Sequence, residues 1–469
     1  MKRNTNNKTE SARTRTVVFV VVLTSFLPAI AGSILNVAIP VIGAEFNSSA
    51  ASLGWVVNAF TMGVLVLMLP LGRLADLTSK RVILIAGLFL FGILNVAASF
   101  STSLGMVIVF RVLQAAGAAS MFATSQAILV DAVPAERRGR ALGMSVGAVY
   151  AGLAIGPLLG GLITHHLGWR WIFAFAGLLG TITAVVTLLK LPEKEGPKRE
   201  GKLLARMDPA GVVLYMVGTL ALAYGFNVVS NKVWPYLVMG GGIAALVGFV
   251  IRENHAKDPL ISMDLFKGQW RFISLNVTAL LNYAATFAVN YLLAIYLQLA
   301  MGFAPDMAGI VLVVTPVVQT FVSIIAGRLS DRKSPFMLAS CGMTLCAAGV
   351  ISFVFVSEHT SLWHIIANLA CLGVGFGLFS SPNTNAIMSL SPPQDRAIVS
   401  SLIATMRNLG MTFSMCIITV ITNASLGATI IDEAPVSLIV GVMRTSFIIF
   451  SVMGVVGVLI SLNRKSKTR

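Results

Sequence analysis

Charge is what this sequence has least of. Only 11% of its 469 residues are Asp, Glu, Lys or Arg, too few to coat a water-soluble fold of that length. Acids are scarcer still, 18 against 34 Lys and Arg, and every one falls in a polar stretch or at the end of an apolar run. Cys341, Cys346, Cys371 and Cys416 lie within apolar runs without metal-ligand spacing, so they read as small buried hydrophobes. The five histidines, His165, His166, His255, His359 and His364, sit at or near run ends, and no triad, metal cluster or redox pair can be assembled. Gly196 to Lys202 imitates a phosphate-binding loop, but Leu203 stands where Ser or Thr is required, and the stretch is a charged linker rather than the end of a strand. These absences argue against an enzyme and against a nucleotide-driven pump, and no cofactor or metal is expected.

What is abundant is apolar length. The chain is 56% hydrophobic with a mean hydropathy of +0.86, which identifies an all-α polytopic membrane protein. Runs of about 20 residues start near Val17, Ser52, Val82, Leu104, Ala141 and Trp171. Two more cover Pro209 to Val229 and Pro235 to Ile251, and six start near Phe272, Met307, Pro335, Leu362, Ala397 and Val442. The expected organisation is a tail (1–16), a six-helix bundle (17–190), a linker (191–208), an inserted two-helix hairpin (209–251), a second linker (252–271), a second six-helix bundle (272–462) and a tail (463–469). A twelve-span reading would take the hairpin out of the bilayer, but its two apolar runs broken by Asn231 to Pro235 favour fourteen. The first run is too long for a signal-peptide core and no A-x-A pattern ends it, so it is expected to remain as span 1.

The cations fix an orientation. Of 34 Lys and Arg, all but Arg111, Arg170, Lys232, Arg407 and Arg444 fall in the tails and alternate loops on one side. The positive-inside rule then puts both termini in the cytosol of a cell (inner) membrane. The net charge of +16 is explained by anionic lipid, not nucleic acid.

One short polar stretch occurs twice. Gly72-Arg73-Leu74-Ala75-Asp76 leads to Lys80-Arg81 between spans 2 and 3, and Gly327-Arg328-Leu329-Ser330-Asp331-Arg332-Lys333 repeats the order between spans 10 and 11. Asp76 and Asp331 are 255 residues apart, and Pro134 and Pro393, in the loops after spans 4 and 12, are 259 apart. The repeat therefore runs through both halves, as in many secondary transporters.

Gly72 to Arg81 resembles the G-x-L-a-D-r-x-G-r-k signature of the major facilitator superfamily, with Leu77 in place of Arg and Ser79 in place of Gly. Span 4 carries Arg111, Gln114, Gly117, Ala118 and Ala119, similar to the family's R-x-x-Q-G-x-G-a-a run, with Ala115 replacing the first glycine. In the family this arginine is implicated in proton coupling. Read by itself, Arg111 inside an apolar helix costs roughly 2.5 to 3.5 kcal/mol, a cost tolerated for function, for a buried partner or by snorkelling to the interface. Span 5 spaces glycines at 143, 147, 152, 156 and 160 along one stripe for a close helix neighbour. Within it, Gly152, Gly156, Pro157, Gly160 and Gly161 resemble the antiporter motif of exporters. Gly168-Trp169-Arg170-Trp171-Ile172-Phe173 is similar to the entry to helix 6 in fourteen-spanner drug:proton antiporters, and Arg407-Asn408-Leu409-Gly410 to the family's R-x-x-G on the matching later helix. Span 1 departs from the family pattern: Asn36 and Pro40 match, but Ala31 replaces the carboxylate.

The coupling and gating set is Gly72, Asp76, Arg81, Arg111, Gln114, the span 5 motif and Arg407 as the resemblance implies, with Asp331 added from the internal repeat and Asp131 from its place at a span edge. With no intramembrane acid, a transported proton would need a span-edge group, Asp131 or His364. The cavity is sketched from polar positions in hydrocarbon, which should avoid lipid. Asn276, Tyr283 and Asn290 are seven apart on span 9, hence on nearly one face, with Phe287 alongside. Ser25, Ser33 and Asn36 on span 1, Gln319 on span 10, and Phe376, Phe379, Asn383 and Asn385 on span 12 extend it, each with interhelical hydrogen bonding as the alternative role. The resemblance implies a major facilitator fold that works as a monomer and exports a drug-like or amphipathic organic molecule by alternating access, coupled to protons. Uptake or facilitated passage of a neutral or anionic metabolite, and a non-transporting sensor with the same fold, are the alternatives.

Overall fold

The computed structural model describes residues 2–36, 38–47, 50–191, 206–228, 233–256, 258–261, 265–266, 268–303, 305–357, 360–426 and 435–463. Among these residues no strand occurs, and fourteen helices are long and apolar enough to cross a membrane. The first six are α1 (Lys2–Asn36), α2 (Ala50–Leu77), α3 (Lys80–Ala98), α4 (Leu104–Ala132), α5 (Arg138–His166) and α6 (Arg170–Lys190). A hairpin follows, α7 (Pro209–Asn227) and α8 (Trp234–His255). The last six are α9 (Trp270–Ala300), α10 (Pro305–Leu312 continuing as Val314–Ser330), α11 (Pro335–Phe353), α12 (Leu362–Leu390), α13 (Arg396–Leu426) and α14 (Val436–Leu462).

Hydrocarbon offers no hydrogen-bond partners, so an apolar run of this length satisfies its backbone internally, as helix. Local residues set the ends. Ser79, which replaces a glycine of the resembled signature, caps α3 by accepting the N–H of Val82 (3.4 Å), and Ser103 caps α4 by accepting that of Met106 (3.3 Å). Pro209 and Pro335 open α7 and α11, where a missing N–H costs nothing. Short 3-10 turns, Ala135–Arg137 and Pro393–Asp395, precede α5 and α13 at the matching loops of the repeat.

The first six helices pack among themselves, with α1 on α5 and α4 between α2 and α3; in the last six, α12 lies between α10 and α11, and α9 packs on α13 and α14. The two groups meet along α2–α13, α4–α13, α5–α10 and α5–α12. The hairpin leans on α2 and reaches α13: Tyr215 donates to the Leu65 carbonyl (2.8 Å) and Tyr224 lies against Trp55 (5.6 Å). Span 9 differs from the single helix expected. It breaks at Phe287 and Ala288, where the Ala288 N–H donates to the Ser414 hydroxyl of α13 (3.1 Å), and it ends in a π-helical turn, Tyr296–Ala300. A freed backbone group inside a membrane protein needs such a side-chain partner.

Candidate functional site

The two copies of the repeated stretch make reciprocal bonds between the groups. Asp76, at the end of α2, accepts the N–H groups of Ala397 (3.1 Å) and Ile398 (2.8 Å) in the first turn of α13. Asp331, at the end of α10, accepts those of Gly139 (2.6 Å) and Arg140 (2.8 Å) in the first turn of α5. Each carboxylate thus meets unsatisfied donors and the positive end of a helix dipole in the opposite group. Burial pushes the Asp331 carboxyl above its ordinary range, and the two N–H groups pull it back. Lys80 lies 3.5 Å from Asp76 and 2.9 Å from Asp131, and Arg396 of α13 also pairs with Asp131. This end of the bundle, where α1 begins and α14 finishes, is therefore bonded shut across the seam.

Glycine permits the contact. A Cβ on Gly72 would stand 3.0 Å from the Ala397 carbonyl oxygen and against Ser401, and one on Gly143 would stand 2.6 Å from the Ser323 carbonyl oxygen and 2.9 Å from Gly327 Cα. Arg81 donates to the Leu191 (2.8 Å) and Leu188 (2.9 Å) carbonyls, closing the end of α6 within its own group.

The glycine stripe of α5 serves two neighbours rather than the one expected. Its first turns, Gly139 and Gly143, lie against α10, while Gly152, Gly156 and Gly160 lie against the backbone of α1 at Phe26, Ile30 and Ile34. Pro157 is on the exposed side and Gly161 is half-exposed. Ser33 sits in that α1–α5 seam and donates to the Gly152 carbonyl (3.0 Å); Ser25 and Ser145 share a hydrogen bond (2.7 Å) in the same seam. Both serines hold helices together.

Arg111 is 2% exposed and does not snorkel. Its Nε donates to the Val56 carbonyl (3.0 Å) and Nη1 to Gln114 Oε1 (3.2 Å), and its guanidinium lies 4.0 Å from the Phe60 ring centroid. Gln114 in turn donates to the Leu94 carbonyl (3.3 Å). The pair ties α2, α3 and α4 within the first group. Arg407 behaves differently. From α13 it reaches across to α4, with its guanidinium 4.9 Å from the Phe122 ring centroid.

Beside Arg407 an aromatic cluster bridges the groups. Phe376 of α12 meets Tyr150 of α5 (5.9 Å) and Tyr283 of α9 (4.9 Å), both edge to face, and the Tyr283 hydroxyl is 3.5 Å from that of Ser380. Tyr283, Ser380 and Arg407 each act on the Tyr150 hydroxyl, the first two by hydrogen bonding and Arg407 through its charge. Of the cavity positions expected from sequence, Tyr283 and Phe376 come together here. Phe287 (43% exposed) lies exposed at the break in α9 and Asn290 exposed just past it, and Gln319 is buried on α10. Four others do not join. Asn276 donates to the Phe272 carbonyl of its own helix (2.9 Å), Asn383 to that of Leu275 (3.3 Å), and Asn385 to Ser330 (3.1 Å); Phe379 packs with Ala279, Ala339 and Met343 inside the second group. The side chain of Asn36 lies outside the described residues. Heptad spacing on span 9 misjudged the face because the helix breaks before Asn290. Tyr150, Phe122 and Ser380 were not singled out by sequence, although Tyr150 is the one aromatic side chain between Gly139 and Gly161, which could have marked it.

The clasp at the opposite end uses Gly168 to Phe173. Glu45, in a short helix Ile39–Glu45, accepts from Trp169 Nε1 (2.7 Å) and from both Arg170 Nη atoms (3.0 and 2.6 Å). Among the described residues no three His, Cys, Asp or Glu gather as a metal site.

A model of the Major Facilitator Superfamily matches residues 21–252 and 275–469. The riboflavin transporter RibZ of Clostridioides difficile is 31% identical over 396 residues, covering 84% of this chain and 85% of that protein. The multidrug resistance protein Stp of Mycobacterium tuberculosis is 26% identical over 402 residues, covering 85% and 74%. A solved structure of the proton:xylose symporter XylE superposes with a TM-score of 0.71 at 15% identity, over 98% of this chain and 97% of that one.

Proposed function

The chain belongs to the Major Facilitator Superfamily, and we propose that it is a secondary active exporter of amphipathic organic molecules, coupled to protons and working as a monomer by alternating access. The observation that carries the reading is the pair of reciprocal clamps, Asp76 on α13 and Asp331 on α5. Two symmetric pairs of bonds across one end of the seam, broken only by separating the groups, are what a two-state rocking transporter requires. In this reading the clamped end is cytosolic, both termini lie in the cytosol, and the substrate site opens outward.

The substrate site proposed is the region of Tyr150, Tyr283, Phe376, Ser380, Phe122 and Arg407, with Phe287 and Asn290 on its outward approach. Ala31 supplies no carboxylate and Arg111 is engaged inside the first group, so Arg407 sets the local charge. Aromatic edges, hydroxyls and one guanidinium suit planar molecules that are neutral or anionic, and disfavour dications. The likeness to Stp, whose name records multidrug resistance, supports export. The likeness to RibZ, named for riboflavin, supports a second reading, carriage of a planar metabolite, with direction to be measured.

The test is transport of matched cationic, neutral and anionic dyes in proteoliposomes of both orientations under an imposed pH gradient. Gradient-driven accumulation with export polarity is expected, strongest for neutral and anionic dyes. The reverse polarity selects the carrier reading, and no accumulation of any dye in either orientation rejects transport.

A further inference from the structure

At the base of the inserted hairpin lies a carboxylate that neither the clamps nor the aromatic cluster uses. Glu253 stands just past the apolar run of α8, which ends at Ile251, and is 2% exposed. Its Oε2 accepts the N–H of Ile261 (2.9 Å), but its Oε1 is buried with no hydrogen-bond partner. Asp208, at the entry to α7, is 5% exposed and held in a left-handed backbone conformation, φ 42°. Its Oδ2 and Glu253 Oε1 each lie 2.6 Å from the point where a Cβ on Gly211 would stand, so two carboxylates face one another over a glycine and only a glycine leaves them room.

The surrounding charges do not remove the cost of burying Glu253. Arg252, on the same helix as Glu253, spends its guanidinium on Asp208 (3.0 and 3.3 Å). Arg73 of α2 acts on Glu253 electrostatically, and it and Arg206 approach Asp258 (4.0 and 3.9 Å), the residue that begins the segment leading to Ile261. Asp76 has both oxygens bonded to N–H groups and Asp208 has both bonded to Arg252. Among the described residues, Glu253 is therefore the buried carboxylate with an oxygen left bare. A charged group in that position carries the full desolvation penalty, and a second carboxylate beside it adds to it. A proton on Oε1 removes the charge and turns the bare acceptor into a donor facing Asp208.

We propose that Glu253 is a proton-binding site beside the Arg252-paired carboxylate of Asp208, and that its occupancy fastens the 258–261 segment to Arg73 of the gate turn. Ionised, Glu253 is repelled by Asp208 and drawn to water, so the base of the hairpin opens and carries Ile261 and Asp258 away from α8 and Arg73. Protonated, the base of the hairpin is closed. The sign follows: a carboxyl whose neutral form is favoured by the closed structure supports closure at low pH, and that support is lost as pH rises through its own titration. The site takes cytosolic protons, in a chain whose first span lacks the family's acid, and it involves none of the aromatic cluster.

The experiment uses the full-length protein in lipid nanodiscs. Infrared difference spectra taken across a titration from acidic to alkaline pH are expected to show a titrating protonated-carboxyl C=O band that Glu253→Gln abolishes and Asp208→Asn shifts. In parallel, hydrogen exchange of the 258–261 amides, corrected for the intrinsic pH dependence, is expected to quicken about tenfold or more over that range. In Glu253→Gln, which fixes the neutral shape, it should stay slow throughout. An unchanged carboxyl band in Glu253→Gln, or pH-independent exchange of the segment in the natural protein, overturns the proposal. If the Gln variant does not fold, Glu253→Asp, which keeps a titrating acid but shortens its reach, is expected to retain a displaced band; its disappearance rejects the proton site. Dye transport is measured separately, so failure of this site leaves the export reading standing and the reverse.

Discussion

The guanidinium of Arg407 lies 4.9 Å from the ring centroid of Phe122, joining α13 of one group of helices to α4 of the other. Because Ala31 and the engaged Arg111 contribute no charge of their own to this place, Arg407→Ala should weaken binding of anionic dyes by about tenfold, the scale of a desolvated cation–π and ionic contact of ~1 to 2 kcal/mol. Arg407→Lys should recover part of that loss, since charge survives but the planar fork does not. Equilibrium dye binding decides it; dication affinity equal to anion affinity in the natural protein would refute the electrostatic reading.

Asp76→Asn keeps the shape of the α2–α13 clamp but removes the charge that two N–H groups and Lys80 address. A charge-assisted bond is worth ~1.5 to 3 kcal/mol, so the clamped state should lose its dominance while the protein still folds and inserts. Ser401, fully buried beside Gly72, reports this when replaced by cysteine: maleimide labelling should speed up about tenfold or more in the Asp76→Asn background, and transport should fall. Asp331→Asn should act in the same direction more weakly, its carboxylate being only half-buried. Unaltered labelling in both would mean that the clamps do not set the gate.

Removing Arg111 should be felt first as stability. Arg111→Ala leaves the Val56 carbonyl and Gln114 Oε1 without their donors and strips the cation from Phe60, a loss of roughly 1 to 3 kcal/mol for each buried group left unmet. Thermal unfolding in detergent should drop clearly, while the charge preference among dyes stays as it was. A variant as stable as the natural protein but uncoupled from the proton gradient would instead put Arg111 directly in proton transfer.

The Glu45 clasp should respond to acid. Hydrogen bonds from Arg170, then from Trp169, hold the Glu45 carboxyl below its ordinary value. A depressed carboxyl adds stability that is present above its unfolded pKa and lost as pH falls through its folded one. Acidifying the solution that bathes the clasp below about pH 4 should therefore release Trp169, which is 2% exposed, and change its fluorescence. Glu45→Gln should remove that step; persistence of the acid step in the variant would show that another group drives it.

The sequence by itself determined the membrane-spanning class, the fourteen apolar runs, the duplicated halves and the residues of the clamp, because each rests on something local. A bilayer accepts only apolar length, and a repeated turn shows itself as repeated letters at a fixed distance. The tertiary structure decided which surfaces those residues meet. Nothing in the spacing of glycines 143 to 160 tells that α10 receives the first part and α1 the rest. Nothing in the span 9 heptad reveals the break that Ser414, 126 residues away, repairs. Arg111 and Arg407 look alike as cations within apolar helices, yet one meets Phe60 in its own group and the other Phe122 across the seam. Glu253 looked like one more charge in a linker until folding closed Asp208, Gly211 and Ile261 around it. Burial and pairing are properties of the packed chain, since a side chain's charge, partner and solvent depend on helices that the sequence places hundreds of residues apart.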